Sequence, residues 1–346
     1  MKPKLKDVAE RAGVSITAAS MALADTGRIS DETRTRVFKA AEELGYKRRR
    51  KSNRIADFNH IGVLVSCDYE WAFIWKFIRP LIAQTEIELN SYDINLVMIP
   101  ISHGSTSDEL YQKILSSGSG AVIALHFGDD ELFPRLEKAG IPVIVVMKSD
   151  FHDRYYSVCV DDFQGAYEAV NHLIRLGHRR IAYAGIQRID LPSLSNDRFI
   201  GFKKGLDVQK LELPDSFIIE FKTGHMDKLK SDLYDVYNPD YKNSPTAIFC
   251  LDDDIALRVI LALKELRLSI PEDVSIIAPG DVLDYNLPYI PPITTMQIDT
   301  AYMGKIVTQM LVNRLEHAPD IQHGLKVQQH LVERGSCRAL EHPLLA

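Results

Sequence analysis

No uninterrupted apolar run in this sequence approaches the ~20 residues that a bilayer-spanning helix needs. The opening residues, MKPKLKDVAERAG, hold no apolar core of the kind a secretory signal carries. Both absences point to a cytoplasmic protein. Cysteine is scarce: Cys67, Cys159, Cys250 and Cys337 lie far apart, with no CxxC pair. That spacing argues against a disulfide framework and a zinc cluster. The common enzyme signatures are missing too. There is no GxSxG, no HExxH, no Walker loop and no GxGxxG after a strand. No catalytic residue, cofactor or metal is therefore expected. The last residues, 338–346, show no heptad repeat, which argues for a dimer over a coiled-coil tetramer.

What is present is an ordinary globular composition, 46% hydrophobic and 25% charged over 346 residues, long enough for two or three domains. The charge is lopsided. Residues 1–54 hold 14 Lys/Arg against 7 Asp/Glu, while the other 292 hold 27 against 40. A basic end on an acidic body suggests a polyanion-binding module attached to something else. The break is sharpest at KRRRK, residues 47–51, which no apolar periodicity crosses. It divides a head, residues 1–46, from a linker, 47–59, and a body, 60–340.

Three short helices fit the head. Leu5, Val8, Ala9 and Ala12 line one face of residues 5–12, and Gly13 suits the left-handed C-cap. Ser15 caps a second helix, 16–24, with Ala19, Ala22 and Leu23 inward. Ser30 caps a third, 31–44, with Val37, Ala40, Ala41 and Leu44 buried and Gly45 ending it. Two helices joined by a tight Gly-containing turn, with a third packed across, is the helix-turn-helix plan. Its second helix must be small-sided to enter a major groove about 12 Å wide, and Thr17, Ala18, Ala19 and Ser20 suit that need.

From residue 60 short apolar runs alternate with helix-like stretches. The runs are 61–66, 94–100, 120–125 and 142–147, then 179–185, 215–221, 246–251 and 274–279. This pattern implies two doubly wound parallel-sheet halves, each covered by helices. Ligands in such folds bind outside the carboxyl ends of the strands.

The order of residues is more specific than the pattern. Asp7-Val8-Ala9, Ala12-Gly13-Val14-Ser15, Ser20, Leu23, Ser30, Thr33-Arg34, Val37 and Ala41 to Tyr46 resemble the DNA-binding head of the LacI/GalR family of bacterial transcription regulators. The body continues the likeness through residues 172–185, 196–202, 271–277, 289–295, the Tyr302-Met303-Gly304 helix and LVERGSC, 331–337. The fold this resemblance implies is a small all-α helix-turn-helix head on an α/β, periplasmic-binding-protein-like sensor domain. Its N-half would span about 60–161 and 299–322, and its C-half about 162–298 and 323–340, with Pro291-Pro292 shaping a crossover.

The resemblance also implies sites. Base edges would be read by Ile16, Thr17 and Met21, on a DNA surface that includes Lys4, Ser15, Ser20 and Arg28. Most members carry Arg where this chain has Met21; Met cannot bond guanine bidentately, so Ile16 and Met21 would meet thymine methyls instead or stay clear of the bases. The joint departs from the family. It lacks the usual Pro and runs about two residues short. It fits either a truncated minor-groove helix of Arg54, Ile55 and Ala56 with Ile55 as wedge, or a basic tether in which Arg48, Arg49, Arg50 and Arg54 hold phosphates.

In the body, Arg198 matches the family Arg that holds a sugar hydroxyl or carboxylate. Asp281 matches its acidic hydroxyl acceptor, Asp252 a polar cleft position and Phe73 a ring-packing aromatic. Tyr69 and Trp71 offer a stacking surface or core packing, and His126 falls at a strand end facing the cleft. The family's Gln near Ile298 is taken as missing. Asp252-Asp253-Asp254 has the look of a metal cluster, but it opens a helix, where carboxylates favour the positive terminus. His172 and His178 read as packing residues.

The function so implied is a ligand-responsive regulator, a repressor, bound as a homodimer to a pseudo-palindromic double-stranded operator. Its effector is a small molecule, a sugar or derivative. The alternatives are a purine or another non-sugar ligand acting as corepressor. An enzyme, or a plain solute-binding protein, would leave the basic head unexplained.

Overall fold

A computed structural model of the chain describes residues 3–24, 29–44, 46, 59–66, 72–186, 192–221, 226–237, 243–316 and 324–340. The head is three helices, α1 (Leu5–Ala12), α2 (Ile16–Ala24) and α3 (Asp31–Glu43). Local chemistry sets their ends. The Lys4 N–H donates to Asp7 Oδ2 at 2.7 Å at the start of α1, and Gly13 closes it at φ 65°. Ser15 Oγ accepts from the Ala18 N–H at 3.1 Å, and Ser30 Oγ from Thr33 at 3.3 Å. The core between them is mostly alanine: Ala9, Ala12, Ala19, Ala22, Ala40 and Ala41 around Val8 and Val37. Such small side chains let three short helices approach closely without a large apolar reserve.

The body holds two six-stranded sheets. The first uses β1 (His60–Ser66), β2 (Asn95–Ile101), β3 (Ala121–Leu125), β4 (Val143–Val146), β5 (Tyr156–Val160) and β11 (Gly324–Val327), in the order β2-β1-β3-β4-β5-β11, all parallel. The second uses β6 (Ile181–Ile186), β7 (Ile218–Phe221), β8 (Ala247–Cys250), β9 (Ser275–Gly280), β10 (Thr294–Gln297) and β12 (His330–Val332). Its order is β7-β6-β8-β9-β10-β12, parallel but for β12.

Helices α4 (Ala72–Asn90), α5 (Ser107–Ser116), α6 (Leu132–Lys138) and α11 (Thr300–Glu316) cover the first sheet. Helices α7 (Asp162–Arg175), α8 (Pro192–Val208), α9 (Met226–Val236) and α10 (Asp253–Glu265) cover the second. The strand pleat divides each sheet's core in two. Ile61, Val63 and Val65 face one apolar cluster with Leu81 and Met303, while Leu64 faces another with Leu110 and Phe133. Burial on both faces is why these strands are apolar without alternation.

Three crossovers join the halves: Val160 to Asp162, Gln297 to Thr300 and Val327 to His330. Each leaves the carboxyl end of a strand, in the first sheet twice and in the second once. Because the sheets are parallel, the carboxyl ends of both therefore meet at the junction. Five details differ from the sequence reading. β5 and β10 were not expected, because YSVCV and TTMQ mix Ser, Thr and Gln into short runs that carry a weak strand signal. The run at 215–221 is a single 3-10 turn followed by β7. The N-half does not end at 322: residues 324–327 pair with β5, which moves the third crossover to 328–329. Pro291-Pro292 precedes β10 inside the second half, so it leads into that strand and shapes no crossover.

Candidate functional site

On the head, α2 turns Ala19 and Ala22 fully inward. Its other face presents Ile16, 50% exposed, Thr17, exposed, Ser20, half-buried, and Met21, 41% exposed. No charged residue occurs in α2. Lys4 and Ser15 are exposed beside it, with Ser15 also spent on the helix cap. Arg11 is turned away to Glu43 at 2.8 Å, tying α1 to α3. Arg28, Arg48, Arg49, Arg50, Arg54 and Ile55 lie outside the described residues, so neither reading of the joint is decided.

In the body, Arg198 on α8 is buried. Its Nε donates to Asp162 Oδ1 at 2.8 Å and its Nη1 to the Leu251 carbonyl at 2.6 Å. Arg198 thus bridges the start of α7 and the carboxyl end of β8, with two of its five N–H donors taken among the described residues. Burial raises the Asp162 carboxyl above the ordinary carboxylate range, and the Arg198 guanidinium opposes that shift. Gln329, in the third crossover, donates to Asp162 Oδ1 and to the Asp161 carbonyl, both at 3.3 Å. Its amide fills the space over Gly165, where a Cβ would lie 2.2 Å from Gln329 Cδ. The Arg198 cluster is therefore fastened directly to a crossover.

Asp252 follows β8 and caps α10, its Oδ1 accepting from the Ile255 N–H at 2.8 Å. The triad reading of 252–254 resolves into three separate tasks. Asp254 bonds Arg258 at 2.8 Å. Asp253 turns into the core, and its Oδ2 accepts from the N–H groups of Val282 and Leu283 at 2.8 and 3.2 Å. Burial, with the neighbouring Asp252, pushes its carboxyl up to about 7. Gly280 makes room for it: a Cβ there would sit 2.5 Å from Asp253 Oδ1. Asp253 thereby holds the loop that carries Asp281.

Asp281 adopts φ 80° just past β9. It accepts from Thr295 Oγ1 at 3.1 Å and from Gln297 Nε2, and it pairs with Arg334 at 2.5 Å. Arg334 in turn lies over the Tyr285 ring, 4.1 Å from its centroid. The glutamine taken as missing is thus present one residue early. Parallel pairing of β10 with β9 sets Gln297 opposite Gly280 and brings its amide to Asp281. Asp252 thus follows β8 and Asp281 follows β9, while Arg198 reaches the carboxyl end of β8 through the Leu251 carbonyl. His126 sits at the corresponding end of β3 with φ 51°. The side chain of Phe73, in the first turn of α4, and all of Tyr69 and Trp71 lie outside the described residues.

The sequence reading gave no site role to Asp162, Gln329 or Arg334, and took Asp253 only as one of a run of three carboxylates. All four act on a cleft residue or its loop rather than standing in the motif that named it. The signal for Arg334 was at hand in LVERGSC, for β12 and β10 are antiparallel neighbours. His178 is a packing residue as expected. Its Nε2 donates to the Arg338 carbonyl at 3.1 Å, its Nδ1 meets Thr246 Oγ1 at 2.9 Å, and burial lowers its pKa to about 4.

Comparison with known proteins gives one consistent picture. Residues 4–49 match the profile described as bacterial regulatory proteins, lacI family. Residues 170–337 match a periplasmic binding protein-like domain. The HTH-type transcriptional regulator RegA of Clostridium saccharobutylicum is 26% identical over 344 residues, covering 97% of this chain and 99% of the relative. The HTH-type transcriptional repressor PurR of Pectobacterium atrosepticum is 27% identical, covering 96% of each. Among solved structures, a CelR–cellobiose complex superposes with a TM-score of 0.67 at 23% identity, over 96% of this chain and 99% of that one. A lac repressor dimer bound to operator and the anti-inducer ONPF gives 0.65 at 22%, over 98% and 100%. Among the described residues no helix is long and apolar enough to cross a membrane.

Proposed function

The chain belongs to the lacI family of bacterial regulatory proteins, DNA-binding transcription regulators under small-molecule control, and on that premise we propose that it is a cytoplasmic repressor that acts by binding, with no catalytic step. Two copies place two heads on a pseudo-palindromic operator. A small molecule, a sugar or derivative, binds at the carboxyl ends of β8 and β9, with Arg198, Asp252 and Asp281 as its contacts. Arg198 offers its remaining donors to a hydroxyl, and Asp252 and Asp281 accept from others. His126, at the carboxyl end of β3, is the candidate contributed by the first sheet.

The observation that carries this reading is the fastening of Arg198 through Asp162 to Gln329 in the third crossover. A ligand that pulls on Arg198 then acts on the segment that sets the angle between the halves. A changed angle alters the spacing of the heads, and with it operator affinity. The demand is modest, since a 100-fold change in affinity needs about 2.7 kcal/mol of coupling.

A salt-titrated DNA-binding assay tests the proposal. Purified protein meets fragments of the DNA around its own coding region, followed by a panel of sugars. One fragment held well above competitor, and shifted by one sugar, is the expected result. Weak binding to every fragment, steep in salt and indifferent to all sugars, would reduce the head to a basic tether. The relatives called PurR repressors motivate a second panel, purine bases, in which tighter rather than weaker operator binding would show a corepressor.

A further inference from the structure

We propose that α2 selects the operator by the C5-methyl groups of its pyrimidines, through Ile16 and Met21, and not by bidentate hydrogen bonds to purines. The inference rests on the reading of the head as an operator-binding module and names what that module reads.

The outward face of α2 decides it. At about 100° per residue, positions 16, 17, 20 and 21 fall within an arc of about 140°, and Ala19 and Ala22 oppose them in the core. A recognition helix enters the major groove with its N-terminal residues on the base edges. Side chains that read guanine or adenine do so with paired donors and acceptors, supplied by Arg, Lys, Asn or Gln. None of these occurs anywhere in Ile16–Ala24. The face instead offers two large apolar side chains, half and two-fifths exposed, beside one threonine and one serine. The only distinct apolar group a base edge shows in the major groove is the C5-methyl. Ile16 and Met21 stand on this face with no base-reading polar group longer than a hydroxyl between them, so burial against an apolar group is the gain this face offers a base edge. The head's excess of basic residues says what covers it, for 14 Lys/Arg against 7 Asp/Glu over residues 1–54 favour a polyanion over a protein partner. The phosphates are then held by residues outside α2, and α2 is left to read methyls.

A methyl reader has a property that a hydrogen-bonding reader lacks: it does not tell thymine from 5-methylcytosine by the methyl itself, and it fails on uracil. Selection from a random duplex library with the full-length protein supplies the probe. Each thymine of the enriched half-site is then replaced in turn by uracil, cytosine and 5-methylcytosine, with the complementary strand adjusted. At the positions under Ile16 and Met21, uracil is expected to weaken binding roughly fourfold per methyl lost. Two contacts in each of two half-sites compound to roughly 200-fold. The rank order is thymine, then 5-methylcytosine, with uracil and cytosine last. Met21→Gln should abolish the uracil penalty at its own position and leave the Ile16 position unchanged. Both residues are exposed, so the fold is spared; Met21→Leu, which keeps an apolar tip, should retain the penalty and serves as the control.

Equal binding of thymine and uracil at every position, with cytosine and 5-methylcytosine equally poor, would overturn the proposal while leaving the regulator intact, because discrimination would then run through the hydroxyls of Thr17 and Ser20. No enrichment of any sequence from the library would overturn this inference and the operator-binding reading together.

Discussion

Replacing Asp162 with alanine tests the fastening of the cleft to the crossover most directly. The substitution leaves the buried Arg198 guanidinium with the Leu251 carbonyl and without its carboxylate. Removing one partner of a buried ion pair costs about 3–5 kcal/mol, because a charge stays buried and unpaired. Gln329 loses one acceptor as well, worth about 1 kcal/mol. The sum, about 4–6 kcal/mol, is a large part of the roughly 5–15 kcal/mol that holds a typical domain. Urea denaturation of wild type, Asp162→Leu, Arg198→Met and the Asp162→Leu/Arg198→Met double variant gives the cycle, with Asp162→Ala measured alongside. Each single change should cost several kcal/mol. The double variant should fall within about 1 kcal/mol of wild type, since an apolar pair of similar size asks for no compensation. Because burial raises the Asp162 carboxyl, the folded state holds its proton more tightly than the unfolded chain does, so wild type gains stability as the pH falls and the cost of Asp162→Ala should grow. A loss below about 1 kcal/mol for Asp162→Ala, or a double variant as unstable as the two singles added, would refute the reasoning.

Four further outcomes follow from the structure. His178 is held neutral, with its pKa lowered to about 4, so the unfolded chain binds its proton first as the pH drops; stability should fall by about 3 kcal/mol between pH 6.5 and 4, and the fall should flatten in His178→Gln. Asp253 has the opposite sign: its carboxyl, at about 7, keeps in the folded state a proton that the unfolded chain has lost, so its contribution weakens by about 4 kcal/mol as the pH rises from 4 to 7. The two slopes oppose each other in wild type, and urea midpoints against pH for His178→Gln and Asp253→Asn should separate them. Gly280→Ala sets a Cβ 2.5 Å from Asp253 Oδ1 at φ 138° and should cost about 1–3 kcal/mol, with weaker effector binding by calorimetry because Asp281 is the next residue. Ser15→Ala removes the cap of α2, so the thermal melt of the head should show about 1 kcal/mol less stability and operator affinity should drop with it.

The head was legible because its determinants are local. The caps Ser15 and Ser30, the left-handed Gly13 and the alanine spacing all act within one or two helical turns, and the three helices fall where those residues put them. The apolar runs likewise announced most of the parallel strands, since a strand buried on both faces must be apolar throughout. β5 and β10 escaped notice because their polar residues face neighbours that only the folded sheet supplies: Ser157 meets His152 at 2.8 Å, and Thr295 and Gln297 meet Asp281.

The cleft divides in the same way. By itself the sequence pointed to the two-part plan, the likeness to a regulator family and the candidates Arg198, Asp252 and Asp281, through motifs read in order along the chain. Only the tertiary structure decided what holds those residues. Arg198 is 36 positions from Asp162 and 53 from Leu251; Asp162 is 167 from Gln329; Arg334 is 39 from Thr295. These partners come together because the chain crosses between the halves three times, returning late segments to the ends of early strands. A hydrogen bond depends on distance in space, which sequence spacing does not carry once the chain has turned back on itself.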